Sequence, residues 1–554
     1  MKKIIEIINN KKDIFFNILA VLLIALFSCS IAPKTLQNDT FYTVSIGNLI
    51  LENGIDMQDH FSWHENLPYT YPHWLYDVIM SLIYNFGGWQ AIYISVCVTT
   101  IILGLIVYYA NCKLNGSKIL SFLISIGVIY LLRDYIAARA QLFTFVIFMF
   151  VIYCIEMFLK NPKKIRYSLG IIVSSILIAN LHVAVWPFLF VLSLPYIAEY
   201  IIALIADVII YRKILILLKK IQLKIYKKSE VKQVEIQQSL ENIYQSNEKR
   251  KEIREKEEPY KIRINRNKNV KWLVLLMIIC IATGLLTPIK TVPYTYLYKT
   301  MTGNTVKNIN EHLPMNVSAD TPILATIVIV ISLITFTKVK IRLSDLFMLG
   351  GLTYLMLSSK RQATMFALIG SLILNRMAVE TIEYYSERKI KEISKKLINI
   401  ITCSILAICI ILLSSKYLKK KEKNPYVSKS SYQVEAAEWM LNNLDVNNIK
   451  LFNEYNYGSY LLFKGIPVFI DSRADLYSPQ FNETETEAGK DIFIDFIDTS
   501  GIGVYYGKTF EKYDITHVIL YKNSKISMLI DQADQEKYNK IYSDDYFVIY
   551  EVIR

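Results

Sequence analysis

Apolar residues run along this chain in blocks too long for strands. About eleven such segments can be drawn, near 14–32, 89–110, 117–132, 142–159, 168–181, 187–210, 272–288, 321–337, 344–358, 362–379 and 397–415. Several fall short of the ~20 residues that an upright membrane helix needs, so tilted or broken helices are expected among them. Beyond position 415 the pattern changes. SYQVEAAEWMLNNL spaces Val434, Ala437, Trp439, Met440 and Leu444 as a helix does. IKLFNEY, GSYLLFKG, PVFIDS, THVILYK and YFVIYEVI are short apolar runs cut by turns, and they read as strands. The predicted architecture is a polytopic α-helical membrane domain over 1–415 and a small α/β or α+β domain over 416–554, joined by the linker KYLKKKEKNP.

The polar stretches between the blocks alternate in kind. MKKIIEIINNKK, NCKLNGSK, KNPKKIRYS, the 212–271 block, KVKIRLS and ERKIKEISKK are rich in Lys and Arg, as cytoplasmic loops are. The loops that start at Pro33, Arg133, Asn180, Pro288 and Ser359 are poorer in them. This polarity places the N-terminus in the cytoplasm and, with an odd number of crossings, the 416–554 domain outside the cytoplasmic membrane. The first apolar run is long for a cleaved signal peptide, and Phe27 is bulky for the lipoprotein-like box LFSC, so an uncleaved first helix is the expectation.

Composition sharpens this picture. Of 554 residues, 53% are hydrophobic, which excludes an ordinary soluble protein. The net charge of +14 is concentrated in 212–271, where 18 Lys/Arg face 8 Asp/Glu. That block lacks aromatic interleaving, so its expected partner is anionic membrane lipid and not nucleic acid. Within it, 226–262 reads as a helical hairpin or a partly disordered loop. The cysteines lie in or beside apolar runs, none after Cys409, and read as packing residues.

The titratable chemistry gathers in the non-basic loops. The first outer loop, 33–88, holds Asp39, Asp56, Asp59, Asp77, His60, His64 and His73, and its HWLYDVIMSLIYNFGG stretch predicts an amphipathic helix along the membrane surface. Asp39 stands within a turn or two of the first crossing, where an acid is costly unless used or paired. RDYIAARAQ supplies Arg133, Asp134, Arg139 and Gln141; SSKRQ supplies Lys360 and Arg361. Basic residues at helix ends commonly snorkel. Two such loops on one face also suit an anion, because guanidinium grips phosphate oxygens in a bidentate way. Asn180, His182, Glu311 and His312 belong to the same face.

These residues, in order, resemble the C-type integral-membrane glycosyltransferases, which include protein O-mannosyltransferases, the aminoarabinose transferase of lipid A and the catalytic subunit of oligosaccharyltransferase. The marks are Asp39 after the first helix, IGNLILENGIDMQDHFSW, HWLYDVIMSLIYNFGG, RAQ at 139–141, NLH at 180–182, INEH at 309–312 and NEYNYGSYLLF with VFIDSRADLY in the tail. They are most similar to those of a poorly characterised bacterial group. The chain departs from that group in having Arg-Ala-Gln for Arg-Pro-Gln, and from mannosyltransferases in having Asn38 beside Asp39 where a second acid is common.

The resemblance implies transfer of a sugar from a polyprenyl-phosphate donor to a glycan, lipid or protein acceptor, usually with inversion. It assigns Asp39 as catalytic base, Arg133, Arg139, Lys360 and Arg361 to the donor phosphate, and Asp59, His60, His73, Gln141, His182 and Glu311 to substrate. Tyr457, Asp471 and Arg473 fall on the acceptor side. Either no cofactor is needed or a divalent Mg or Mn ion sits on Asp39, Asp134 and Glu311. The histidines of the first loop fit no zinc spacing. A flippase for lipid-linked sugar and a non-catalytic scaffold with an outer recognition domain are the alternatives; a flippase places its charges mid-membrane.

Overall fold

Most of each apolar run lies on helical structure in the computed structural model, which describes residues 2–206, 209–226, 230–256, 262–303, 305–386, 392–484 and 488–553. In chain order the main helices are α1 (Lys2–Ile31), α2 (Asn38–Asn53), α3 (Trp74–Asn115), α4 (Lys118–Leu131), α5 (Ala140–Lys160), α6 (Ile165–Leu181) and α7 (Leu194–Ala206). Then follow α8 (Val270–Thr283), α9 (Thr321–Phe336), α10 (Leu343–Ser358), α11 (Ala363–Ser386) and α12 (Glu392–Glu422). Five stretches among the described residues are long and apolar enough to cross a membrane: Ile14–Ile31, Trp74–Asn115, Ala140–Lys160, Val183–Ile205 and Lys360–Tyr385. Five further apolar helices have 10–17 residues. At 1.5 Å per residue these shorter helices fall below the ~30 Å of a hydrocarbon core.

Local chemistry sets the boundaries. Gly116, with φ +85°, ends α3 in the left-handed region that costs a Cβ-bearing residue energy. Ser117 then caps α4, its hydroxyl accepting from the Leu120 amide. Asp320 caps α9 in the same way, with Pro322 in the first turn. Gly87 and Gly88 depart from helical geometry and kink α3, so the expected surface helix and the next crossing form one bent element.

α2 was expected as loop. Its apolar positions are diluted by Thr, Ser and Asn, and it becomes a helix by packing on α3. The two backbones meet at Gly47, where an added Cβ would lie 2.1 Å from the Asp77 carbonyl oxygen. Gly47→Ala should therefore separate the helices and cost about 1–3 kcal/mol, read as a lower unfolding midpoint in detergent.

Two features tie the helices at opposite ends of α5. At its C-terminal end Glu156 is buried and takes Arg342 at 2.5 Å and Arg376 at 3.3 Å, while Asp345 takes the same two arginines at 2.7 and 2.5 Å. At its N-terminal end stands Arg139, treated below. The basic insert forms helices over Ile209–Ile225 and Glu230–Lys256, which pack on each other, and its Ile262–Arg263 strand runs parallel to Ile341–Arg342. Positions 227–229 and 257–261 of the insert lie outside the described residues.

The tail begins later than 416, because α12 continues through the expected linker to Glu422. Its helix over Val434–Asn443 is as expected. Among the described residues its sheet has four strands, β1 (Leu451–Phe452), β2 (His517–Tyr521), β3 (Tyr538–Ser543) and β4 (Phe547–Val552), in the order β1-β2-β4-β3. β1 runs parallel to β2; the other pairings are antiparallel, with Ile519 opposite Ile549. Two expected strands are corrected. GSYLLFKG is a helix over Gly458–Phe463, because its consecutive residues Gly458–Leu462 are all buried, which a two-faced strand does not give. PVFIDS makes only an isolated bridge, Val468 to Ser62 in the segment between α2 and α3. β3 went unread because YNKIYS alternates too weakly.

The tail seats on α2. Phe41 is buried against Trp89 of α3 at 5.2 Å, and against Tyr432 and Tyr460 of the tail at 4.8 and 5.1 Å, all edge-on. Edge-to-face pairs of this kind add ~0.5–1.5 kcal/mol each beyond the area they bury.

Candidate active site

Between the helical domain and the tail lies a cavity of about 660 Å3. Its walls come from the first turn of α2, the segment before α3, the start of α5, the α6–α7 turn, the 292–312 segment, the α10–α11 turn and the tail.

At its centre Arg139 holds two acids. Arg139 is the extended N-cap residue of α5, and Asp39 sits in the first turn of α2, where the helix dipole favours a carboxylate. Arg139 Nε donates to Asp39 Oδ2 at 2.5 Å, and Arg139 Nη1 donates to Glu311 Oε1 at 2.8 Å. Burial opposes the guanidinium's charge, but Asp39 and Glu311 outweigh it and hold the Arg139 pKa above its ordinary value. Burial would raise Glu311, yet Arg139, and Arg361 behind it, hold its carboxyl below the usual range. Among the described residues Asp39 Oδ1 accepts no hydrogen bond, so one oxygen of this acid remains open to the cavity.

Arg361 lines the same cavity from the 3-10 turn between α10 and α11. Its guanidinium has no acidic partner within ion-pair distance among the described residues, unlike that of Arg139. Around it stand three imidazoles. His73 and His182 are 4.9 Å apart ring to ring, fixed by a Trp74 indole bond to Asn180 at 3.0 Å and a Val183 amide bond to the Pro72 carbonyl at 3.0 Å. Burial, with the Arg361 charge, pulls His73 and His312 down to about 4, so both are neutral at pH 7. His182 is buried, and its Nδ1 has no partner in the protein among the described residues.

The tail closes the cavity. Asn38 Nδ2 donates to the Tyr455 carbonyl at 3.0 Å. Asp475 accepts from the hydroxyls of Tyr296 at 2.5 Å and Thr305 at 3.2 Å, and burial raises its pKa against those bonds. Burial raises Glu454 likewise. Arg473 lines the wall with its back to two buried acids, Asp59 at 2.6 Å and Asp471 at 2.7 Å.

Of the residues singled out in the sequence, Asp39, His73, Arg139, Gln141, His182, Glu311, Arg361 and Arg473 meet at this cavity. Six do not line it. Arg133 stacks on Tyr130, donates to its carbonyl at 3.0 Å and pairs with exposed Asp134, so both behave as helix-end residues. Lys360 is exposed, and its backbone carbonyl takes the Tyr135 hydroxyl. His60 is half-exposed and paired with Asp56. Tyr457 packs on Phe547 inside the tail. Asp59 and Asp471 act behind the wall, through Arg473. The carboxylate set Asp39, Asp134 and Glu311 is therefore not assembled, and no group of three His, Cys, Asp or Glu fits a metal among the described residues. Asp39 and Glu311 are bridged by Arg139, so the donor set at this point is that of an ion-paired trio and not of a cation cage. Tyr42, Tyr296 and Glu454 line the cavity without having been singled out; Tyr42 and Tyr296 have no motif around them, and Glu454 sits inside NEYNYGSYLLF, where the residue chosen was Tyr457.

The fold is similar to that of a crystal structure of the Archaeoglobus fulgidus oligosaccharyltransferase in the apo form, with a TM-score of 0.52 and 11% identity, covering 91% of this chain and 69% of that one. At that identity the likeness is one of fold alone, and it agrees with the mostly helical architecture expected from the sequence. No family model matches the chain, and no curated protein matches it in sequence.

Proposed function

We propose that this chain is a membrane glycosyltransferase that moves a sugar from a polyprenyl-phosphate donor to an acceptor on the outer face of the cytoplasmic membrane. The observation that carries the reading is one cavity holding both an acid with an open oxygen, Asp39, and a guanidinium without an acidic partner, Arg361. Glycosyl transfer from a lipid phosphate asks for these two groups. Asp39 Oδ1 takes the acceptor proton as the new bond to the sugar forms. Arg361 bonds the phosphate and stabilises the charge that grows on it as the sugar leaves. A phosphate is already a good leaving group, so no strong acid is required.

The two arginines divide the labour. Arg139 is neutralised by Asp39 and Glu311 and serves as the positioning residue that aims both acids; the phosphate belongs to Arg361. The neutral imidazoles of His73 and His312 offer N–H donors without adding charge. The residues that line the cavity from the tail, Glu454, Tyr455, Asp475 and Arg473, face the acceptor. No step is routed through a metal. The cavity's own charges, Asp39, Arg139, Glu311 and Arg361, gather at one end of the helices, which favours transfer over transport.

Loss of a charge-assisted hydrogen bond of ~1.5–3 kcal/mol weakens binding ~10–100-fold. Arg361→Ala should raise the KM for a lipid-phosphate-linked sugar by about that factor in reconstituted enzyme, with acceptor KM little changed. An unchanged donor KM removes Arg361 from the phosphate site. Transfer itself is tested by incubating purified protein with radiolabelled polyprenyl-phosphate sugars and membrane extracts and following label out of the lipid fraction.

A further inference from the structure

The insert between α7 and α8 carries a surface that the transfer reaction does not use. Its first helix, Ile209–Ile225, reads IIYRKILILLKKIQLKI. At about 100° per residue, Leu217, Ile221 and Ile225 stack on one side with Leu218 next to them. All four are 44–69% exposed. The helix meets its partner, Glu230–Lys256, along a different side: Ile236 and Leu240 are buried there, and Ile216 and Leu223 are half-buried. The hairpin's own seam is therefore filled, and the outer stripe is left over.

Lysine borders that stripe. Lys220 and Lys224 are exposed and fall about 20–60° to one side of Leu217. The block as a whole carries ten more basic than acidic residues over 212–271. The helix begins directly after α7, whose candidate membrane-crossing stretch ends at Ile205, and the insert returns to the apolar α8 at Val270. Both ends of the insert are thus tied to membrane helices, on the side of the Lys/Arg-rich loops.

We propose that Leu217, Leu218, Ile221 and Ile225 lie in the headgroup–acyl boundary of the adjacent leaflet, with Lys220 and Lys224 on anionic lipid phosphates. The occupant is an anionic lipid surface. An exposed apolar stripe flanked by lysine has the form of an interfacial helix, and its positive charge complements an anionic leaflet. A protein groove would have to supply acids and displace lipid already held close by the flanking crossings. This surface lies on the side of the chain away from the cavity and does not depend on the proposed transfer.

The test uses the full chain in nanodiscs, with p-benzoylphenylalanine placed at Ile221 and, separately, at Gln238 on the second helix. Irradiation and mass spectrometry then read lipid adducts. In discs containing phosphatidylglycerol, Ile221 should give acyl-chain adducts and Gln238 should not. Each lysine near an anionic surface is worth ~1 kcal/mol, a factor of about five. Lys220→Gln with Lys224→Gln should therefore cut the Ile221 adduct about 25-fold, as should discs of phosphatidylcholine alone. Equal yields in both lipids, equal yields at the two positions, no lipid adduct at Ile221, or a cross-link to a second copy of the chain would each overturn the proposal.

Discussion

Asp39→Asn should abolish sugar transfer, lowering the rate by about 10²–10⁴, while the protein still inserts and folds. The amide keeps the shape of the acid and can still accept from Arg139, so α2 and α5 stay joined. What it loses is the ability to take a proton at Oδ1. Single-turnover transfer from a labelled lipid-phosphate sugar measures the loss; size-exclusion behaviour and melting temperature in detergent check the fold. Transfer within tenfold of the native rate would remove Asp39 as the base. No transfer by the native protein or by Asp39→Asn, with outer-surface binding intact in both, would favour a recognition scaffold over an enzyme.

The second large effect concerns stability. The Arg473 side chain is 3% exposed and lies between those of Asp59, in the segment between α2 and α3, and Asp471 of the tail, both fully buried, with Tyr477 also donating to Asp471 at 2.6 Å. Arg473→Ala strands two buried carboxylates, and breaking a buried pair from one side costs about 3–5 kcal/mol. Limited proteolysis should release the tail beyond Glu422 far faster in this variant, and the unfolding midpoint should fall. Acid gives the linked result. Burial works against the Asp59 charge, but Arg473 and the bonds from Ser62 overcome it and hold the carboxyl below its ordinary value. A group depressed in this way contributes its full stabilisation above the unfolded pKa of about 4. The contribution fades as pH falls through the lower native value. Contact between loop and tail should accordingly survive at pH 5 and weaken only well below pH 4. Release already at pH 5 would mean that another group holds the junction.

How much of this was legible in the chain depended on the kind of signal. Long apolar blocks have few alternatives to helix, and among the described residues each is mostly helical. The kink in α3 was foreshadowed by Phe-Gly-Gly at 86–88. α2 escaped because its face is completed by neighbours: Phe41 finds Trp89, Tyr432 and Tyr460, none of which is close to it in sequence. The site was legible in part for a similar reason. Lys360 and Arg361 are adjacent and alike in type, but neighbours on a 3-10 turn point about 120° apart, so only one lines the cavity. Arg133 and Arg139 differ in the same way: one stacks back on Tyr130, the other crosses to Asp39. Sequence fixed which loops held charge; only the tertiary arrangement decides which charges are spent on each other. Asp59 and Asp471 were singled out for substrate and acceptor, and they turn out to hold Arg473.

The arrangement of Asp39, Arg139 and Glu311 has a consequence for timing. At rest the three carry one surplus negative charge beside Arg361, the proposed phosphate ligand. When Asp39 takes the acceptor's proton under the proposed mechanism, that surplus vanishes at the moment the departing oxygen becomes more anionic. Deprotonating the nucleophile thus relieves an electrostatic brake on the leaving group. Bond making on one side of the sugar and bond breaking on the other become coupled through a guanidinium that touches neither.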